Sequence, residues 1–263
     1  MLTIREIKKA ATLEEAWQLN QKRPNRVMGG MLWMRLSQGN VMTMIDLSDL
    51  GLNQIEETET EFSIGAMVTL RELELHAGIA SYTKGAMKEA LRHIVGVQFR
   101  NLATVGGSVF GRFGFSDVLT ILMALNAKVE LYKGGIIPIV EFAKMKYDRD
   151  ILVRVIIPKE VLSASYASVR IAKTDFPVLT CAAALTGEGV QIAVGARPAK
   201  ATLVKDEQGL LTLPFTEEKV QAFAEYAASV LPTESNPRGS AKYRTHLIKV
   251  LAARTILALG GNA

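Results

Sequence analysis

Residues 100–117 read RNLATVGGSVFGRFGFSD, with four glycines, hydroxyl side chains on both sides of a Gly-Gly pair and one acid at the end. The spacing is neither G-x-G-x-x-G nor G-x-x-x-x-G-K-[ST], so neither a Rossmann fingerprint nor a P-loop is present. A glycine pair can adopt positive φ and present consecutive N–H groups to an anion at contact distance. Thr104 and Ser108 flank Gly106 and Gly107 and offer hydroxyls to phosphate oxygens, while Asp117, acceptor-only when ionised, suits a sugar hydroxyl. Phosphates at one end and a polyol at the other describe a dinucleotide. The competing reading is a plain turn, because Gly-Gly pairs mark turns more often than ligands. A second pair, Gly29 and Gly30 in RVMGGMLWMRL (26–36), again follows a short apolar run, so two turns could grip one ligand from opposite sides.

Working outward, TLEEAWQLN (12–20) has a Thr12 cap before Glu14 and Glu15 and predicts a short amphipathic helix. VMTMIDLSDL (41–50) predicts a strand, and EFSIGAMVTLRELEL (61–75) a strand ending near Ala66 that passes through Thr69 into a helix. MKEALRHIV (87–95) predicts a helix, 100–116 a loop, and SDVLTILMALNAKVELYKG (116–134) a helix over about Asp117 to Leu125 running into a strand. DILVRVIIP (150–158) closes this mixed unit, which lacks a regular βαβ rhythm. From about Tyr166 the texture changes to short apolar runs, two of them joined by T-G-E-G, a hairpin signal within an antiparallel sheet. The tail SAKYRTHLIKVLAARTILALGG places Tyr243, Leu247, Val250, Leu251 and Leu257 on one helical face and stops at Gly260 and Gly261. A domain boundary is expected near 160–165.

With 263 residues, 49% hydrophobic and 22% charged, the chain is an ordinary globular protein with room for about two domains. Its net charge of +5 is spread along the sequence without basic clusters interleaved with aromatics, which argues against nucleic acid as a partner. Cys181 is the only cysteine, so the chain makes neither an internal disulfide nor an iron-sulfur site, and it reads as a buried strand residue. His76, His93 and His246 show no metal-ligand spacing, and the last two read as surface or packing residues on helices. No run of about 20 apolar residues could span a membrane, and a cytoplasmic location is expected.

RVMGGMLWMRL, MIDLSDL, IGAMVTLRELE, VQFRNLATVGGSVFGRFGFSDVLTILMALNAKVEL, DILVRVIIP and YRTHLIKVLAARTIL follow one another as in the FAD-binding subunit of the molybdenum hydroxylases. This family includes xanthine dehydrogenases and aerobic carbon monoxide dehydrogenases. The resemblance covers nearly the whole chain, and RNLATVGGS is its most specific part. It implies an α+β architecture: a two-lobed FAD-binding fold of the vanillyl-alcohol-oxidase (PCMH) type, then a C-terminal domain of antiparallel sheet plus helices. The FAD-binding domain would span residues 1–162, with lobes of about 1–55 and 56–162, and the C-terminal domain residues 163–263.

The resemblance further implies that FAD lies between the lobes. Its diphosphate would be held by Val27, Met28, Gly29, Gly30, Met31, Leu32 and Trp33 and by Thr104, Val105, Gly106, Gly107 and Ser108. Gly111, Phe113 and Asp117 would follow in the second loop, and Leu152 and Val153 would lie near the flavin ring. Trp33 is read first as core between the lobes and second as a flavin contact; Lys173 and Asp175 line the cofactor mouth or form a surface ion pair. Two departures stand out. Met31 replaces a polar residue, removing a phosphate donor, and GRFGFSD replaces N-A-S-P-A-A-D, bringing Arg112, Phe113 and Phe115 towards the flavin.

The implied function is electron transfer: an iron-sulfur subunit receives electrons from a molybdopterin-binding subunit, and FAD in this chain hands them to NAD+, ferredoxin, a quinone or oxygen. Two other readings remain open, a flavin-free assembly subunit and a self-contained flavin oxidoreductase.

Overall fold

The computed structural model describes residues 1–260 and builds three sheets. The first is parallel, with β1 (Leu2–Lys9), β2 (Arg26–Met28) and β3 (Gly39–Asp46) in the order β1-β3-β2. Thr12 caps the helix Leu13–Gln21, accepting from the Glu15 amide at 3.1 Å, and the helix lays Ala16 against Ile45, Leu47, Ile151 and Val153.

The second sheet is antiparallel: β4 (Ile55–Glu57), β5 (Glu61–Gly65), β6 (Lys128–Leu131), β7 (Gly135–Pro138) and β8 (Leu152–Pro158), in the order β4-β5-β8-β6-β7. The helix Leu70–Leu75 starts from a capping box in which Thr69 and Glu72 satisfy each other's amides, as the acid-rich start predicts.

The third sheet holds β9 (Val161–Arg170), β10 (Pro177–Thr186), β11 (Gly189–Gly195) and β12 (Thr202–Lys205), antiparallel in the order β12-β11-β10-β9, with the T-G-E-G hairpin joining β10 to β11. Cys181 and Ala183 of β10 pack with Phe223, Ile248 and Ile256 of the two C-terminal helices. Ala182 and Ala184 join the core around the helix Asp117–Ala124. Both faces of β10 are therefore covered, which is why it reads as an unbroken run of small apolar residues rather than an alternation. The helix Asp117–Ala124 is correspondingly buried at every position.

Two expectations are corrected. The final helix, Ala241–Gly260, buries Arg244, Leu247, Ile248, Leu251, Ala252, Thr255, Ile256 and Leu259, while Tyr243 and Leu257 remain 44% and 39% exposed and Val250 half-buried. The rotation follows from Arg244, whose buried guanidinium donates to the carbonyls of Val178 (3.0 Å), Glu234 (2.8 Å) and Gly239 and to Asn236 Oδ1 (2.7 Å). Periodicity of apolar residues cannot register a buried cation of this kind. Gly261 lies outside the described residues. The second correction concerns 100–116, expected as a loop: Val105–Phe110 is a short helix, and Arg100 ends another, Val97–Arg100.

Cys181 is fully buried, and burial pushes its thiol up to about 12. At pH 7 the nucleophilic thiolate is therefore absent. Native protein treated with iodoacetamide should stay unlabelled by intact-mass measurement, whereas denatured protein should gain one adduct.

Candidate functional site

One cavity of about 960 Å³ is bounded by the segment 26–34, the helix Val105–Phe110, residues 113–118, residues 147–152 and the end of β9 with the loop after it. Elements from all three sheets contribute, so the site exists only in the assembled fold.

The first Gly-Gly turn forms one wall. Gly30 passes so close to the Leu102 carbonyl that a Cβ would lie 1.8 Å from its oxygen, and one on Gly29 would lie 2.7 Å from Thr104 Oγ1. Met31 follows at φ 60°, a left-handed turn of the sort from which backbone anion nests are built. Among the described residues, no protein acceptor takes the amide N–H of Gly29, Gly30, Met31, Leu32 or Trp33. All five residues line the cavity. Loss of a polar side chain at Met31 therefore leaves the main-chain donors in place.

The second turn differs from its expectation. Gly106 and Gly107 lie in the first turn of a helix, without positive φ. The amides of Val105, Gly106, Gly107 and Ser108 are already bonded, to Val68 O (2.8 Å), Ala66 O (2.8 Å), Thr104 Oγ1 (3.1 Å) and Thr104 O (3.0 Å). This pair is not an open nest; its glycines serve close approach. A Cβ on Gly106 would lie 2.7 Å from the Ala66 carbonyl oxygen, whereas one on Gly107 would meet only Thr104 Oγ1, at 3.1 Å. Gly107 thus leaves space on the cavity side. Ser108 donates to the Thr104 carbonyl at 2.9 Å.

Trp33 is 41% exposed and is not core between lobes. It stands with Phe99, Phe113, Phe115 and Phe176, the nearest being Phe176 at 5.5 Å between ring centroids. Phe113 and Phe115 stack at 5.2 Å, and Phe115 meets Phe176 edge-on at 4.4 Å. Arg112, expected towards the flavin, instead turns inward. Its guanidinium lies 3.8 Å above the Phe142 ring and its Nε donates to the Phe142 carbonyl at 3.0 Å.

Asp117 faces the cavity at 5% exposure. Its Oδ1 accepts from the Tyr166 hydroxyl and from Arg170 Nη2. Burial pushes the Asp117 carboxyl up, while Arg170 and Tyr166 pull it back by stabilising the ionised form. Arg170 also lines the cavity, and its Nε is buried without a partner among the described residues. Sequence reading missed Arg170 and Tyr166. The signal was the period-2 spacing of Tyr166, Ser168 and Arg170, which puts three polar groups on one face of β9.

Of the remaining residues, Val27, Met28, Leu32, Gly111, Phe113 and Leu152 line the cavity. Val105 and Val153 are buried in the core behind it. Lys173 is exposed and lies outside the lining, whereas Asp175 lines the cavity and approaches Arg238 at 3.9 Å. His246 is exposed, His93 accepts from Arg92 Nε at 3.1 Å, and His76 caps the helix Ala77–Tyr82. No group of His, Cys, Asp or Glu among the described residues could hold a metal ion, and no described helix is long and apolar enough to cross a membrane.

A run of free amide donors, an acid beside a guanidinium, and a cluster of rings at the open end match a diphosphate, a polyol and a planar ring system in turn. The fold and cavity define a flavin-nucleotide-binding chain. Residues 4–160 match the family described as the FAD binding domain in molybdopterin dehydrogenase, and 164–259 match the CO dehydrogenase flavoprotein C-terminal domain. The chain belongs to this family of oxidoreductase flavoproteins, the FAD-binding electron-transfer subunits of molybdenum hydroxylases, and FAD is its cofactor. The nicotine 6-hydroxylase medium subunit of Paenarthrobacter nicotinovorans is 28% identical over 244 residues, covering 87% of this chain and 85% of its own. Quinoline 2-oxidoreductase from Pseudomonas putida 86 shares the fold at a TM-score of 0.86 and 24% identity, over 99% of this chain and 98% of its own. Reconstituted CO dehydrogenase from Oligotropha carboxidovorans does so at 0.87 and 21%, over 99% of both chains.

The glycine geometry separates packing from ligand contact. Gly106→Ala, forced against the Ala66 backbone, should destabilise the protein by about 1–3 kcal/mol. Gly107→Ala should keep or slightly raise the melting temperature, since alanine is favoured over glycine in a helix by about 1 kcal/mol, yet weaken FAD binding. Thermal melts with and without FAD, together with FAD titration, distinguish the two.

Proposed function

We propose that this chain is the flavin station of a three-part molybdenum hydroxylase. A large molybdopterin subunit oxidises substrate, a small iron-sulfur subunit relays the electrons, and this subunit delivers them to NAD+ or another acceptor. The observation that carries the reading is the run of five amides, Gly29 to Trp33, without a protein partner among the described residues, beside a close-approach glycine helix. The "medium subunit" in the name of the nicotine hydroxylase relative supports a multi-subunit setting. So does the single cysteine of the sequence, which cannot hold an iron-sulfur cluster.

In this reading FAD lies between the two lobes, about 1–55 and 56–162, of a domain of residues 1–162, and a domain of residues 163–263 follows. The 29–33 amides bind the diphosphate, and Thr104, Gly107 and Ser108 form the floor beneath it. Asp117 accepts from a sugar hydroxyl, with Arg170 taking the place first given to Lys173. The ring that exchanges electrons belongs at the open end, against Trp33, Phe113 and Phe176. Leu152 contacts the cofactor from β8, and Val105 and Val153 support the wall from behind. Bound FAD supplies the capacity to take up and release electrons; the residues around it bind, orient and exclude water, and none acts as a general acid or base. Cys181, a lone free thiol, suits the reducing cytoplasm to which we assign the complex.

Purified protein should carry about one FAD per chain, released by acid precipitation because neither Gly-Gly segment offers a His or Cys for covalent attachment. Dithionite should bleach the isolated chain, while purines, aldehydes and aromatic heterocycles should bleach it only together with the two partner subunits. Colourless protein whose melting temperature ignores added FAD would point to an assembly subunit. Turnover of those substrates by the chain alone would establish a self-contained oxidoreductase.

A further inference from the structure

Tyr166 is buried near the middle of β9, and its hydroxyl reaches out of the third sheet to Asp117, the first residue of the helix Asp117–Ala124. Arg170, four residues along the same strand and on the same face, donates to the same carboxylate oxygen. Both bonds fall on Oδ1. Among the described residues no other residue donates to Oδ2, although Asp117 lies in the cavity wall.

One donor to a carboxylate oxygen leaves the group free to swing about χ2; two donors from different directions fix its plane. Arg170 supplies charge. Tyr166, neutral and held by the sheet, supplies direction, so that Oδ2 is presented to the cavity. We infer that Tyr166 is a positioning residue of the cofactor site, acting through Asp117 to aim its second oxygen at a hydroxyl of the bound dinucleotide. The inference rests on the proposed FAD site and deepens it, because it makes the third sheet a determinant of cofactor affinity. Burial opposes ionisation of Asp117, and the phenol donor offsets part of that cost, so removing the hydroxyl weakens the acceptor as well as misaligning it.

The test is a double-mutant cycle read by FAD titration, using the quenching of flavin fluorescence, with denaturation of the apo chain measured in parallel. Tyr166→Phe should weaken FAD binding roughly 10-fold, the worth of one hydrogen bond to a charged group. In an Asp117→Asn background the same change should alter affinity less than about 2-fold, since the group it acts through has gone. A purely structural bond would lower apo stability and leave the dissociation constant unmoved, which would overturn the inference. Equal losses in both backgrounds would overturn it too. If the unmutated protein binds no FAD, the flavin reading itself fails and this inference with it. A structure of the unmutated FAD complex gives a check independent of any variant. It should keep the Tyr166–Asp117 bond with Oδ2 on a cofactor hydroxyl, and a broken bond would refute the assignment.

Discussion

The site depends on two places where backbone touches backbone. Gly30 lies against the Leu102 carbonyl and Gly106 against the Ala66 carbonyl, at separations no Cβ could share. These contacts bring the end of β2, the turn after β5 and the helix Val105–Phe110 into one small volume. With side chains intervening, the 29–33 amides would stand several ångströms from the helix that faces them. The glycines are therefore a condition for the cavity, and the anion nest is a consequence of the approach they permit. The nest itself turns on Met31, a non-glycine residue in the left-handed region, a conformation that costs about 1–2 kcal/mol. Such strain persists where the surroundings over-determine it, often at ligand sites.

A second constraint joins the N-terminal part to the third sheet. The helix Asp117–Ala124 is buried on all sides, and its first residue is an ionisable acid. A carboxylate in that position costs several kcal/mol unless it is paired and hydrogen-bonded. Arg170 and Tyr166 provide both, from a strand beyond the helix. Electrostatic necessity thus ties β9 to the cavity, while Ala182 and Ala184 pack in the apolar core around the same helix.

The sequence carried most of the strands, the capped helices and the Gly29-Gly30 turn because each leaves a local mark. Thr12, Thr69 and the T-G-E-G hairpin act within a few residues of themselves. What stayed hidden is non-local. The buried face of Ala241–Gly260 is set by carbonyls at Val178, Glu234 and Gly239, none of them in the helix. The helix at 105–110 is masked by its own glycines, which propensity counts against it. Gly106 and Gly107 looked like an open nest, yet their amides are spent on Ala66 and Thr104. Arg170 sat three residues from Lys173, and only the end of β9 at Arg170 separates the one held at the cavity wall from the one on the exposed turn that follows.

Arg112 shows how a substitution that looks like a change of charge at the site acts as a change of shape. Arg112 is 1% exposed, with Nη2 left without a partner among the described residues, so its guanidinium carries a desolvation cost. Contact with the Phe142 ring and a bond to the Phe142 carbonyl offset much of that cost. Drawing Arg112 inward pins the chain beside Phe113 and Phe115, which are left to stack on each other and to meet Phe176 and Trp33. The open end of the cavity is in this way walled by hydrocarbon instead of polar side chains. A ring bound there sits in a medium of low polarity, where any charge it gains is stabilised by the few fixed donors nearby rather than by water. Of those donors Arg170 is the only buried cation at the cavity wall among the described residues, so its placement by β9 weighs on the cofactor more than its single charge in water would.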